Sequence, residues 1–264
     1  MIKVKELIKK GRFYQAEIEN EGEIEKHKIS EDLVIQYRLI KNKELTSELY
    51  NQFLSEANKD RIYQKVLNFA LYKMRTESEI VAYLEKNQIL EPEYYLDKLK
   101  SIKAIDDETY LNNYLEEAIN FKKIGPIKIL DDLKSKGLSQ KLINSFQIND
   151  YKEEFADNLK YWLDKKVKSI KNDSWLKLKK NLIAFLMNKG FNYQNVISLL
   201  NQESNFIKSQ FNEEEAVKKD ILILKQKYRK KAIDSNLNNF LITKLLAKGY
   251  RYEIIKDLIK GCED

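Results

Sequence analysis

Apolar residues follow two different periods along this chain. Over residues 2–29 they alternate with polar ones, as in Ile2-Lys3-Val4-Lys5 and Phe13-Tyr14-Gln15-Ala16-Glu17-Ile18-Glu19. That is the period of a half-buried strand. Asn20-Glu21-Gly22 reads as a hairpin turn, with the returning strand over 24–29. Ser30-Glu31-Asp32-Leu33 then supplies an N-cap serine and two first-turn acids for a short helix. Thr46-Ser47-Glu48-Leu49 marks another helix start. The pattern predicts a small module over 1–57, built on a β-hairpin with one or two helices.

From about residue 59 the period becomes helical and stays so. Val66, Leu67, Ala70, Leu71 and Met74 share a face. Thr76-Glu77-Ser78-Glu79 is a capping box opening a helix that runs through Ile80, Tyr83 and Leu84 to Lys86-Asn87. Pro92 sits at a tolerated first-turn position, and Gly125-Pro126 closes one helix and opens the next. Asp106 caps a helix reaching about Phe121. Further helices are predicted from about Tyr151, with Phe155, Leu159, Trp162 and Leu163 on one face, and over 175–189, 193–200, 213–231, 237–248 and 252–260.

A short phrase recurs within this helical part. Leu133-Lys134-Ser135-Lys136-Gly137-Leu138, Leu186-Met187-Asn188-Lys189-Gly190-Phe191 and Leu245-Leu246-Ala247-Lys248-Gly249-Tyr250 share Leu, Lys-Gly and a bulky apolar residue. Leu130, Ile183 and Ile242 stand seven residues before the glycine, and Ile143, Val196 and Ile255 six residues after it. These offsets place a glycine C-cap between two amphipathic helices. Asn87 stands where an earlier, degenerate copy would have its glycine. The repeat predicts a mainly α fold, with four tandem three-helix units (about 58–103, 104–149, 150–205 and 206–264) in an extended curved array. Repetition with constant apolar offsets makes Gly137, Gly190 and Gly249 structural joints rather than a phosphate-binding loop.

Composition narrows the function. One cysteine, Cys262, excludes an internal disulfide and suits a reducing compartment. No signal-type or membrane-spanning apolar run occurs, so a cytoplasmic chain without membrane contact is expected. His27 is the one histidine, expected on the surface of the returning strand, and a Ser-His-Asp or Cys-His centre is nearly excluded. No Gly-rich phosphate loop and no metal-ligand spacing is present. The acidic Asp106-Asp107-Glu108 is explained by a cap and two dipole-favoured acids. The sequence therefore predicts no enzyme, no catalytic residue, no metal and no cofactor.

Charge is placed unevenly. Residues 151–264 hold 23 basic and 15 acidic residues, a net of +8, against +7 for the whole chain. Two basic segments stand out as candidate contacts. One holds Lys160, Lys165, Lys166, Lys168, Lys171, Lys177, Lys179 and Lys180 around Trp175, with Lys165, Lys168 and Lys171 recurring every three residues as a stripe. The other holds Lys225, Lys227, Arg229, Lys230 and Lys231 around Tyr228. Basic stripes beside aromatics suit a nucleic-acid backbone or an acidic protein groove. Trp175 is expected in the core, and Tyr193 and Tyr252, three residues past their glycines, only partly buried.

Arg75-Thr76-Glu77-Ser78-Glu79-Ile80, Ile105-Asp106-Asp107 leading to Tyr110, Gly125-Pro126 and Leu133-x-x-Lys136-Gly137 together resemble the signature of the RecX family, as does the basic helix entering Lys189-Gly190-Phe191. The likeness covers about residues 60–200. The fourth unit and the N-terminal β-containing module resemble the longer RecX proteins. The resemblance implies a non-enzymatic regulator of the RecA recombinase, with a place in recombination, DNA repair and the SOS response. It implies binding as a monomer along the groove of the RecA filament on single-stranded DNA, with suppression of ATP hydrolysis, strand exchange and co-protease activity. It assigns no contact residue. Direct binding of nucleic acid by the basic half, or scaffolding of another acidic protein, are the alternatives left by the residues themselves.

Overall fold

The computed structural model describes residues 1–228 and 237–260. It forms two compact units, Met1–Tyr110 with Lys136–Leu138, and Leu111–Ser135 with the chain from Ser139 on.

The first unit opens with an antiparallel sheet of β1 (Ile2–Lys10), β2 (Phe13–Asn20), β3 (Glu23–Ile29) and β4 (Glu44–Leu45), in the order β3-β2-β1-β4. Glu21 and Gly22 both have positive φ, as a two-residue hairpin turn requires. β1 runs further than the alternation at its start suggests. Its register with β2 shifts between Val4 and Glu6, a bulge that keeps Val4 opposite Ile18 and Leu7 opposite Ala16. After β3 come α1 (Glu31–Gln36), capped by Ser30, and the 26-residue α2 (Ser47–Tyr72), capped by Thr46.

α2 runs across the boundary expected at residue 57. Its first half packs Tyr50, Phe53 and Ala57 on the sheet. Its second half packs Tyr63, Val66 and Ala70 against α3 (Glu77–Lys86) and α4 (Pro92–Ser101). Asp60 interrupts the apolar stripe between them; it is buried, and its carboxylate accepts from the Ser30 amide at 2.8 Å. One helix therefore belongs to both the module and the first three-helix unit.

His27 departs from its expected surface position. It is half-buried, with its ring edge-on to Phe53 at 5.4 Å and its Nε2 3.3 Å from the Tyr50 hydroxyl. Burial lowers its pKa from 6.5, outweighing the Glu25 carboxylate at 3.5 Å. A depressed histidine leaves the unfolded chain holding the extra proton just below pH 6.5, so stability rises with pH across that window and is lost as pH falls. We expect the melting temperature to drop between pH 7 and pH 5, and to drop less in His27→Gln, as followed by circular dichroism. Equal drops in the two proteins contradict this assignment.

The helices continue with α5 (Asp107–Glu116), which passes into a π-helical turn, Glu117–Phe121. Asp106 caps α5 as expected, accepting from Glu108 and Thr109 amides at 2.9 and 3.0 Å. Then follow α6 (Pro126–Ser135), α7 (Gln140–Ser145), a 3-10 turn Ile148–Tyr151, α8 (Lys152–Val167), α9 (Trp175–Asn188), α10 (Tyr193–Gln202), α11 (Ser204–Ser209), α12 (Glu213–Tyr228), α13 (Leu237–Ala247) and α14 (Tyr252–Lys260). The short α11 is an addition to the predicted set. The third unit gathers Leu159, Leu163, Leu182, Leu186, Phe191, Val196 and Leu200 into one core, and the fourth gathers Val217, Ile221, Leu241, Leu245, Tyr250 and Ile255.

Gly137, Gly190 and Gly249 have φ of +74°, +93° and +87°, the left-handed caps that the repeated phrase predicts. Two details differ. The fully buried position is eight residues before the glycine (Ile129, Leu182, Leu241), one helical turn from the buried Leu, while Leu130, Ile183 and Ile242 are half-buried. In the first copy the left-handed residue is Gln88, φ +52°, and Asn87 is the ordinary C-cap at −93°. Leu84 lies four residues before Gln88, as Leu133 does before Gly137.

Candidate functional site

Each Lys-Gly turn docks on the start of another helix, and this docking sets where the lysines go. The Lys136 carbonyl accepts from the Thr76 hydroxyl at 2.7 Å, and the Lys248 carbonyl accepts from the Ser174 hydroxyl at 2.7 Å. Thr76 and Ser174 are N-caps of α3 and α9 and are fully buried. The first-turn amides beside them are also closed by a carboxylate: Glu77 donates to Asp107 at 2.8 Å, and Trp175 to Glu213 at 3.1 Å. Asp107 thus does more than favour its own helix dipole. Burial raises its pKa. At the middle joint α6 begins with Pro126 and has no hydroxyl cap, so backbone serves instead. The Gly125 amide donates to Lys189 O at 2.7 Å, and the Ile127 amide to Gly190 O at 3.0 Å.

The three lysines of the phrase have different fates. Lys136 pairs with Glu79 at 2.9 Å, and Lys248 with Asp220 at 2.8 Å. Lys189 instead places its ammonium 3.7 Å from the centre of the Trp162 ring. Three more lysines gather round the same aromatics. Lys165 lies 5.0 Å from Trp162 and 5.8 Å from Tyr161, Lys166 lies 5.2 Å from Phe185, and Lys123 lies 5.3 Å from Tyr161. Trp162 is held edge-on between Tyr161 and Phe185, and its Nε1 donates to Lys123 O at 2.7 Å. Asn158, buried, donates to Ile119 O at 2.8 Å and accepts from Lys123 Nζ at 3.3 Å. None of Lys123, Lys165, Lys166 or Lys189 has an ion pair with a described residue, whereas the neighbouring Lys122 and Lys160 are both paired with carboxylates.

The other predicted contacts disperse. Lys165 is on α8, but Lys168 is the helix's C-cap and Lys171 lies in the loop beyond, so the three-residue recurrence does not make a helical stripe. α8 ends at Val167, which is buried in the core, and the chain turns there. Lys171 and Lys177 border a separate cleft with Lys219, Lys248, Asp173 and Asp220, where Lys177 pairs with Asp173 at 2.6 Å. Lys179 is half-buried and bonds Asn201 Oδ1 at 3.4 Å; Lys180 is exposed. Lys225 and Lys227 occupy the last turn of α12, with Lys227 5.7 Å from Tyr228. Arg229, Lys230 and Lys231 lie outside the described residues. Trp175 is half-buried and stacks on Phe211 at 6.1 Å, while Tyr193 and Tyr252 are exposed. Lys123 and Lys189 were not among the sequence candidates. The signal that marks Lys189 is that the other two lysines of its phrase are spent on carboxylates.

A regulatory protein RecX of Streptococcus agalactiae serotype V is 30% identical over 264 residues, spanning 98% of this chain and 99% of that protein. The chain belongs to the RecX family. A regulatory protein RecX of Oceanobacillus iheyensis is 28% identical over 233 residues, covering 88% of this chain and 85% of its own length. Residues 152–197, α8 to the first turn of α10, match the RecX third three-helix domain. A crystal structure of a regulatory protein RecX shares the fold at a TM-score of 0.60 and 26% identity, covering 77% of this chain and all of that one. Among the described residues no group of three or more His, Cys, Asp or Glu is placed to hold a metal, and no helix is long and apolar enough to cross a membrane.

Proposed function

We propose that this chain regulates the RecA recombinase by binding, as a cytoplasmic monomer, along RecA filaments on single-stranded DNA. In that role it lowers ATP hydrolysis, strand exchange and co-protease activity without chemistry of its own. The observation that carries the reading is full-length identity to proteins named regulatory protein RecX, which extends through the N-terminal sheet and the fourth unit. Tandem three-helix units supply many exposed faces along one chain, which suits a partner that is itself a repeating polymer.

The deciding experiment is a titration of the purified chain into RecA from the same organism, following ATP hydrolysis on single-stranded DNA. Hydrolysis is expected to fall at equal or smaller molar amounts. A rate that stays constant across the titration overturns the proposal. A second reading, a nucleic-acid-binding helical protein, is favoured by the four lysines around Tyr161, Trp162 and Phe185 that have no ion pair with a described residue.

A further inference from the structure

We propose that Lys123, Lys165, Lys166 and Lys189 form a phosphodiester-backbone site that holds a nucleic-acid strand without reading its bases. The inference deepens the second reading above and is independent of RecA recognition. Its first support is the charge left over. Three lysines occupy the same place in the repeated phrase, and two of them are neutralised by carboxylates. The third is not, and it lies among three more ammonium groups that have no described ion-pair partner. Unpaired like charges held close together raise the local potential, and a bound polyanion relieves it.

The second support is that the aromatic rings already carry cations. Lys189 stands over Trp162 at 3.7 Å and Lys166 over Phe185 at 5.2 Å, so a base stacking on either ring would have to displace an ammonium. Tyr161 is 43% exposed, and Lys123 and Lys165 both lean on its ring. The rings act as posts that fix ammonium positions by cation–π attraction. They are not stacking platforms.

The third support is preorganisation. The joint that bonds the Gly125 amide to Lys189 O, together with the bond from Trp162 Nε1 to Lys123 O, fixes the backbones of two of the lysines before any ligand arrives. The cluster also contains no arginine. Guanidinium forks grip carboxylate and phosphate alike in one fixed planar geometry, whereas lysine is a rotatable point charge that follows the phosphates of a repeating backbone in many registers. A phosphodiester strand is therefore favoured over an acidic protein segment.

The test uses the full chain, without RecA, and fluorescence anisotropy with three labelled probes. These are a single-stranded oligonucleotide, an abasic strand of equal length, and a polyglutamate of equal charge. The abasic strand is expected to bind within a few-fold of the base-bearing one, and polyglutamate to bind at least ten-fold more weakly. The combined variant Lys123→Gln, Lys165→Gln, Lys166→Gln, Lys189→Gln is expected to lose affinity for both strands. If each lysine neutralises one phosphate, it also removes about 50-fold from the loss of affinity between 50 and 200 mM salt.

A melting temperature like that of the unsubstituted chain shows that the variant is folded. If it unfolds, Lys165→Gln with Lys123→Gln, which leaves the joint lysine in place, is expected to remove about half of that salt dependence on a logarithmic scale. The proposal is overturned by an abasic strand that binds ten-fold more weakly than the base-bearing one. Polyglutamate binding as tightly as the abasic strand, or a salt dependence unchanged in a folded variant, also overturns it. Because no RecA is present, failure here leaves the ATPase titration standing, and failure of that titration leaves this site standing.

Discussion

Gly190→Ala is expected to destabilise the chain by roughly 2–5 kcal/mol, from a left-handed penalty of about 1–2 kcal/mol and an overpacking cost of about 1–3 kcal/mol. Gly190 has φ +93°, and a Cβ built on it would lie 2.4 Å from Lys128 Cβ and 2.7 Å from the Lys128 amide nitrogen. Backbone on the opposite side of the contact cannot swing away, as the far end of a flexible side chain could. Gly125 opposes it with the same closeness: a Cβ there would stand 2.4 Å from Gly190 C. The turn and the start of α6 touch through two bare backbones.

Gly249→Ala is the comparison. Its φ of +87° carries the same conformational penalty, but its nearest neighbour would be Leu176 Cβ at 3.0 Å. A cost of roughly 1–3 kcal/mol is expected there. Urea unfolding of the two variants, read as midpoint shifts at constant slope, ranks them. A Gly249 variant that is less stable than the Gly190 variant contradicts this account of the joints. Gln88→Gly completes the series. No three-helix unit precedes that turn, and the left-handed residue is already a glutamine at φ +52°. Replacement by glycine relieves backbone strain and loosens the unfolded chain in opposite directions, so a change of less than about 1 kcal/mol is expected.

Where sequence and structure agree, the reason is local. A left-handed cap selects glycine, a buried helical face selects apolar residues at three- and four-residue steps, and an N-cap selects serine, threonine or aspartate. The repeated phrase, the capping box at Thr76 and the cap at Asp106 are legible for that reason. What the joints grip is not local. Thr76 bonds a carbonyl 60 residues on and Ser174 one 74 residues on, and nothing near either residue announces it. The boundary read at 57 falls inside α2, where Asp60 interrupts an apolar stripe that otherwise runs from Tyr50 to Ala70, and its amide partner Ser30 lies on another element.

The candidate site follows the same division. An excess of lysine in the C-terminal half is visible in composition, but which lysines remain unpaired depends on folding. Lys177 meets Asp173, and Lys160 meets Asp164 and Glu203. Lys123 comes from the segment between the π-helical turn and α6, Lys165 and Lys166 from α8, and Lys189 from the end of α9. Three segments spaced along the chain converge because Gly125 and Gly190 dock. The joints therefore shape the charged surface as well as the helix order.

Ser174→Ala is expected to cost roughly 2–4 kcal/mol, more than loss of an N-cap alone, which costs about 1 kcal/mol. The hydroxyl does two jobs at once. It accepts from the Lys177 amide at 3.4 Å, capping α9, and donates to Lys248 O at 2.7 Å. Removing it leaves a carbonyl without that donor in a place closed to water, since Ser174 itself is fully buried. Ser139→Ala provides the measure of capping alone: Ser139 accepts from the Leu142 amide at 3.2 Å at an exposed helix start. The two variants should differ in where the damage is felt. Hydrogen exchange in Ser139→Ala is expected to quicken only near the start of α7. In Ser174→Ala it should quicken both at the start of α9 and at the Lys248-Gly249 turn, because one hydroxyl serves both. Quickening confined to α9 would mean that the carbonyl bond contributes little. The turn would then be held by Lys248 pairing with Asp220 at 2.8 Å and Tyr250 bonding to the same carboxylate at 2.8 Å.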